Sequence, residues 1–362
     1  MSNIDALFLT KYDRKGASSR YRSLQYFPYF EESGINCTHK PLFSNSYLET
    51  LYETENRPLL SVVQNYVRRL RDLLAVRMYD VIVIEKELLP YAPALFERLL
   101  GQLETPYVVD YDDAIFHNYD QSSNPLVRKL LGTKIDVVMC EADAVVAGNE
   151  YLASRALKVG ASRVEIVPTV IDLEKYPHVP PSDDGPFTIG WIGSPSTAQY
   201  VEKIAPALRE VCERRDARVV LVGSGAVKLP GVPVEVREWS EETEVEDITE
   251  FDVGIMPLED TPWERGKCGF KLIQYMACGK PVVASPVGVN AEIAEKDYNG
   301  FHADTHDEWT ERLVSLFDDR ELAQKMGERG RKRVEEQYCL NVTANQLGRI
   351  LENISENCRT NE

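Results

Sequence analysis

The chain is 362 residues long, 43% hydrophobic and 27% charged, with a formal net charge of −17. That length exceeds one ordinary hydrophobic core and points to two domains, while the composition excludes a disordered chain. The acidic balance argues against long nucleic acid as a partner, and no apolar run approaches the length of a membrane span.

The amino terminus, MSNIDALFLTKYD, has neither a basic start nor a long apolar segment, so no secretory signal is expected. Seven cysteines without C-x-x-C spacing fit reduced, buried thiols in a cytoplasm. Strands are expected at DALFLT, NCTHKPL, DVIVIEKE, YVVDYDD, DAVVAGN and VEIVPTV, with amphipathic stretches between them, as in a parallel α/β sheet. This half carries two basic clusters. One is KYDRKGASSRYR, with Lys11, Arg14, Lys15, Arg20 and Arg22; the other is YVRRLRDLLAVR, with Arg68, Arg69, Arg71 and Arg77 on an expected helix. They suit either solvated surface or a polyanionic or membrane-surface acceptor.

KYPHVPPSDDGP, residues 175–186, reads as a linker from its four prolines and glycine. The series then restarts with FTIGWIG, RVVLVGSG, VPVEVREW, FDVGIMPL and KPVVASP, and ends in two long amphipathic stretches. Net charge is −4 over residues 1–178 (20 basic, 24 acidic) and −13 over residues 179–362 (21 basic, 34 acidic). Two doubly wound domains in tandem follow, with ligands at the carboxyl ends of the strands, where helix amino termini point. Facing one another, those ends would form a cleft with the linker as hinge.

The informative residues fall in such loops. In GWIGSPST, Gly193 opens a small-residue turn in which Ser194, Ser196 and Thr197 can cap a helix whose free N–H groups suit a phosphate; a plain capping turn uses the same residues. It is neither G-x-G-x-x-G nor a Walker sequence. GKCGFKLIQYMACGKPVVASPVG, residues 266–288, is more specific. If helical, it sets Lys267, Lys271 and Gln274 on one face at i, i+4 and i+7. Gly266 and Gly269 admit a ligand to the backbone, Gly279 stops the helix and Pro281 opens a strand. DYDDA puts Asp112 and Asp113 at a strand end. DYDD also resembles a D-x-D metal site, or plain strand-end acids. Five scattered histidines have no zinc spacing.

GFKLIQYMACGKPVVASPVG, with WIGSPST and GIMPL upstream, resembles the donor domain of glycosyltransferase family 4, retaining enzymes of the GT-B fold that use nucleotide-activated sugars. DALFLTKYDRKGASSRYR, VVAGNEYLA and IVPTVID resemble the family's amino-terminal acceptor domain. The resemblance implies an acceptor domain over 1–178, a donor domain over 187–339, and a last helix, about 340–362, packing back on the first. It implies donor contacts from Gly16, Gly193, Ser194, Ser196, Thr197, Glu264, Lys267, Gly269, Phe270, Lys271 and Gln274, and acceptor contacts from Arg20, Arg22 and Asp113. Asp112 and Lys271 take catalytic roles, Asp112 standing where the family often has a histidine. Two family glutamates are replaced by Gly266 and Gln274, and the usual basic pair is absent from GSPST, which shifts phosphate binding onto Lys267 and Lys271. The implied reaction moves a sugar, with retention and without a metal or other cofactor, from a nucleotide-diphosphate sugar to a saccharide or lipid-linked acceptor in cell-surface glycoconjugate synthesis. Its setting is the cytoplasm or the inner membrane face, with membrane contact through the amino-terminal domain. A sugar-nucleotide epimerase of the same fold, or a non-catalytic partner subunit, are the competing expectations. Lys280, beyond the helix stop, is expected to be indifferent to nucleotide.

Overall fold

A computed structural model of the chain describes residues 3–54, 59–102, 105–181 and 185–359. Residues 182–184 of the expected linker and 360–362 of the expected last helix lie outside the described residues. The chain divides into two compact units: Met1–Thr169 with Asn341–Glu362, and Val170–Leu340.

The first unit is built on β1 (Ile4–Leu9), β2 (Ile35–His39), β3 (Val81–Glu85), β4 (Tyr107–Tyr111), β5 (Ala144–Ala147) and β6 (Val164–Ile166). They lie in the order β2-β1-β3-β4-β5-β6, all parallel. β3, β4 and β5 are buried at every residue, as expected where helices cover both faces of a parallel sheet. Short Val, Ile and Ala runs fit those positions because β-branched side chains pack well on a pleated surface.

The second unit holds β7 (Phe187–Ile192), β8 (Ala217–Val222), β9 (Val234–Arg237), β10 (Val253–Met256), β11 (Val282–Ala284) and β12 (Gly300–His302). Their order is β12-β11-β10-β7-β8-β9, again parallel throughout. Trp309, Leu313 and Leu316, from the helix His306–Asp318, share one core with Val219, Leu221 and Ile255. Thr305 and Glu308 close that helix's start with a capping box. The expected two doubly wound α/β folds are present. β12 was not expected; three residues, GFH, are too short for period-2 patterning to show.

Residues 170–180 are fastened to the second unit. Ile171 N donates to Tyr338 O at 3.1 Å, and Leu340 N returns to Ile171 O at 3.0 Å. Val179 N donates to Cys278 O at 3.0 Å, and Arg331 reaches the carbonyls of Tyr176 and Ala277. Lys280 is buried here, donating to Thr249 O at 2.8 Å, and burial lowers its ammonium to about 8 despite Cys278 and Asp252. It is an internal strut.

Candidate functional site

In an open α/β sheet the ligand crevice opens where the strand order reverses, outside the carboxyl ends. In the second unit that point lies between β7 and β10, which pair only at Val253–Ile189 and Gly254–Gly190. Tyr275 bridges them where pairing stops: Ile192 N donates to its hydroxyl at 3.0 Å, and the hydroxyl donates to Ile255 O at 3.4 Å.

Past β7 the chain turns at Gly193. A Cβ there would stand 2.6 Å from the Trp191 ring and 2.8 Å from Lys271 Cε, so a side chain would collide with both. The Lys271 ammonium lies 5.6 Å from the Trp191 ring centroid, a cation–π distance that holds the amine beside the glycine turn. Gly223, after β8, closes the third side with φ +75, and a Cβ there would meet Trp239 at 2.9 Å.

The helix Pro195–Lys203 starts from this turn, but the expected side-chain cap is absent. Ser194 Oγ pairs with Ser196 Oγ at 2.9 Å, and Thr197 Oγ1 donates to Ser194 O at 3.0 Å. The two serine hydroxyls satisfy one another and the Thr197 hydroxyl is taken by the Ser194 carbonyl, so the cap geometry is not built.

The helix carrying Lys271 runs Phe270–Ala277 and starts from Gly269 at φ +63, a left-handed conformation that favours glycine. Lys267 therefore precedes the helix, and the expected i, i+4 spacing with Lys271 does not apply. Its ammonium lies 5.9 Å from the Trp263 ring, and its N–H donates to Glu264 O at 3.0 Å. Gln274, expected on an exposed polar face, is 3% exposed and donates to the Tyr176 hydroxyl at 3.1 Å. A heptad step from Lys267 loses its meaning once the helix begins at residue 270. Phe270 is half-buried; Glu264 is buried and accepts from the hydroxyls of Tyr200 and Thr261.

In the first unit the order reverses between β1 and β3. Lys86, directly after β3, has φ +66, unusual for a lysine, and is buried. Its ammonium lies 2.7 Å from Asp112, 3.2 Å from Asp113 and 3.0 Å from Ser18 Oγ, joining the loops after β3 and β4 to the start of the helix Ala17–Arg22. Burial alone would raise the Asp112 carboxyl. The Lys86 charge and hydrogen bond, with Ser18 and Arg22, outweigh it and hold Asp112 below its ordinary value. Lys86 in turn is held well above its ordinary value by Asp112, Asp113 and Glu85, against the opposing effect of burial. Glu85 accepts from Ser19 Oγ at 2.6 Å, and burial pushes its carboxyl up. Gly16 is buried in the turn before the helix Ala17–Arg22, where a Cβ would stand 2.5 Å from Tyr12 Cβ.

The expectation that Arg20 and Arg22 present a basic surface fails, since both are buried. Arg22 grips Asp110 with Nε at 2.9 Å and Nη2 at 2.5 Å, and donates to Val167 O at 2.7 Å. Arg20 donates to Arg14 O at 3.2 Å and stacks on Tyr21. Asp110 and Asp112 thus answer separate internal cations and do not converge as a D-x-D pair. Among the described residues no group of three or more His, Cys, Asp or Glu has metal-binding geometry.

Lys86, Trp191 and Tyr275 were missed from sequence. The first had a usable signal, since EKE follows the apolar run VIVI at a strand's carboxyl end. A tryptophan two residues before GSPST had a weaker one.

Residues 186–319 match the protein family described as Glycosyl transferases group 1. A Bacillus anthracis protein named N-acetyl-alpha-D-glucosaminyl L-malate synthase is 26% identical over 148 residues, 38% of this chain and 38% of that protein. The chain thus aligns with well under half the length of that curated relative. Among solved structures, a sucrose-phosphate synthase from Thermosynechococcus elongatus matches with a TM-score of 0.72 at 15% identity, over 97% of this chain and 99% of its own. Anabaena HepE in complex with UDP matches at 0.69 and 13%, over 97% and 100%. WaaG, a glycosyltransferase involved in lipopolysaccharide biosynthesis, matches at 0.69 and 13%, over 96% and 99%.

Proposed function

From a chain of GT-B fold whose second unit carries a glycosyl transferases group 1 domain, we propose a retaining glycosyltransferase. It takes a sugar from a nucleotide-diphosphate donor to a saccharide or lipid-linked acceptor, in the cytoplasm or at the inner face of a membrane, for cell-surface glycoconjugates. The observation that carries the reading is the Lys271 ammonium fixed beside Gly193 at the β7–β10 switch point. A cation, a bare backbone and a helix amino terminus together suit a diphosphate, which becomes the leaving group. The HepE structure is a complex with UDP, and the same nucleotide is the first probe here.

The leaving diphosphate gains charge as the donor's sugar–phosphate bond breaks, and in this reading Lys271 neutralises it without a metal. Asp112 is assigned to orient an acceptor or sugar hydroxyl, being a carboxylate held ionised at a strand's carboxyl end. Asp113, beside it, is assigned to the acceptor, as are Gly193 and the 194–197 hydroxyls to the donor. The internal hydrogen bond of Gln274 and the guanidinium pairing of Arg22 leave those two as positioning residues.

The test is calorimetry with UDP and UDP-sugars on the parent and on Lys271→Ala. The expected loss is about 1.5–3 kcal/mol, the range for a hydrogen bond to a charged group, with a lower kcat in the transfer assay. Equal affinity in the two proteins would reduce Lys271 to a surface charge. Product analysis separates transfer from epimerisation of the donor, and neither product would leave a binding subunit.

A further inference from the structure

Apart from the buried Arg69, which reaches Thr10 O past β1, the second basic cluster of the sequence has no part in either switch-point site. It lies on the helix Leu59–Leu73, fifteen residues or about 22 Å long. An amphipathic helix ordinarily buries its apolar stripe. Here Leu60 is 81% exposed, Val63 60%, Val67 43% and Leu74, just past the helix, 86%. These positions recur at i, i+3, i+7 and i+14, on one outward stripe. Arg71 falls on the same stripe and Arg68 on its flank, with Arg77 and Met78, also exposed, beyond its end. Residues 59–78 hold four arginines against Asp72 alone, and Asp72 pairs with Lys40 at 3.0 Å. A chain of net charge −17 thus carries an outward apolar line bordered by positive charge.

The inward side explains why the stripe points out. Arg69 is buried and donates to Thr10 O at 2.6 Å, and Arg68 donates to the carbonyls of Pro41 and Leu42 at 3.0 and 2.7 Å. The Tyr66 hydroxyl donates to Pro90 O. These polar contacts, with Val62, Leu70 and Leu73 half-buried beside them, dock the helix on its own unit, and Leu60, Val63, Val67 and Leu74 are left outside.

We propose that this face docks on an anionic lipid surface, with the leucine and valine side chains entering the headgroup boundary and the arginines against lipid phosphates. The docking rests on the reading that the acceptor is met at a membrane. A second copy of the chain is the poorer occupant, because a two-fold contact would set arginine against arginine along one narrow stripe. Among the described residues no helix is long and apolar enough to cross a membrane, so the contact is a surface one.

The experiment is flotation of the full-length protein with phosphatidylcholine vesicles, with and without phosphatidylglycerol. Binding is expected only to the anionic vesicles, and to weaken as salt is raised. Arg71→Gln with Arg77→Gln should lose roughly 25-fold in partitioning, about fivefold per charge. Leu60→Gln with Val63→Gln, both solvent-facing, should lose roughly tenfold or more while keeping the parent's thermal midpoint. Equal binding to neutral vesicles, no binding to either, or parental binding by both variants would overturn the proposal. So would a dimer in velocity sedimentation that the Leu60 and Val63 changes dissolve. UDP affinity is measured on every variant and should not move. Vesicle binding without any nucleotide binding would sink the transferase reading and leave the docking standing.

Discussion

Asp112 and Lys86 keep each other charged in a buried place, and that pairing makes a pH prediction. Asp112 is held below its ordinary value, so its contribution to stability is present above the unfolded carboxyl value of about 3.9 and is lost as pH falls through the lower folded value. Lys86 is held above its ordinary value, so its contribution is complete below about 10.4 and is lost only as pH rises past the folded value. Between those limits both are ionised, and an active Asp112 should leave kcat flat on the acid side until well below neutrality. Asp112→Asn should keep UDP affinity and lose about 10²-fold in kcat. Lys86→Met removes the charge opposing desolvation, so the Asp112 carboxyl rises and the acid limb of the kcat profile moves to higher pH; Lys86→Arg should restore part of it. An acid limb that stays put in Lys86→Met would take Asp112 out of the chemistry. The sequence marked Asp112 and Asp113 by their strand end alone. It could not mark Lys86 as their partner, because that pairing exists only where β3 lies against β4.

At the scale of elements, the helix Phe270–Ala277 has one task at each end. Its amino-terminal turn sets Lys271 over Trp191, while its carboxyl-terminal turn, through Gln274 and Cys278, holds Tyr176 and Val179. Lys271, in its first turn, leans on the turn after β7, and Gly193 is the contact. Gly193→Ala is expected to push Lys271 off Trp191, since the new Cβ would stand 2.8 Å from Lys271 Cε. Overpacking of this kind costs about 1–3 kcal/mol, visible in urea unfolding, and UDP affinity should fall with it. Full stability with full affinity would mean that the turn relaxes freely and that the close approach is not required. The helix itself was legible from its apolar run and its Gly279 stop. Its first residue was not, since only the left-handed Gly269 fixes where the turn begins.

For the whole molecule the prediction concerns the reaction. Nucleotide release from a donor and acceptor should survive dialysis against excess EDTA, and the anomeric configuration of the donor should persist in the product, read from the anomeric proton by NMR. Activity that returns only with Mn²⁺, or an inverted product, would overturn the reading. The acids that could have made a metal site, Asp110, Asp112 and Asp113, each face a lysine or arginine of the same unit. They have the residue types of a cation site but not the convergence of one.

By itself the sequence determined the two restarting series of parallel strands, the loops that carry chemistry and the resemblance to a donor domain. Those follow from local patterning: apolar runs of strand length, glycine stops and charge at strand ends. Tertiary structure alone decided what each charge does. Arg22 and Lys280 are as basic in the sequence as Lys271, yet the fold buries the first two on internal acceptors and sets the third beside a bare glycine turn. Leu60 and Val63 are as apolar as any core residue, yet their helix is fastened down by its polar side and leaves them outside. Partners distant in sequence set these outcomes, because a charge or an apolar surface has its free energy fixed by what surrounds it.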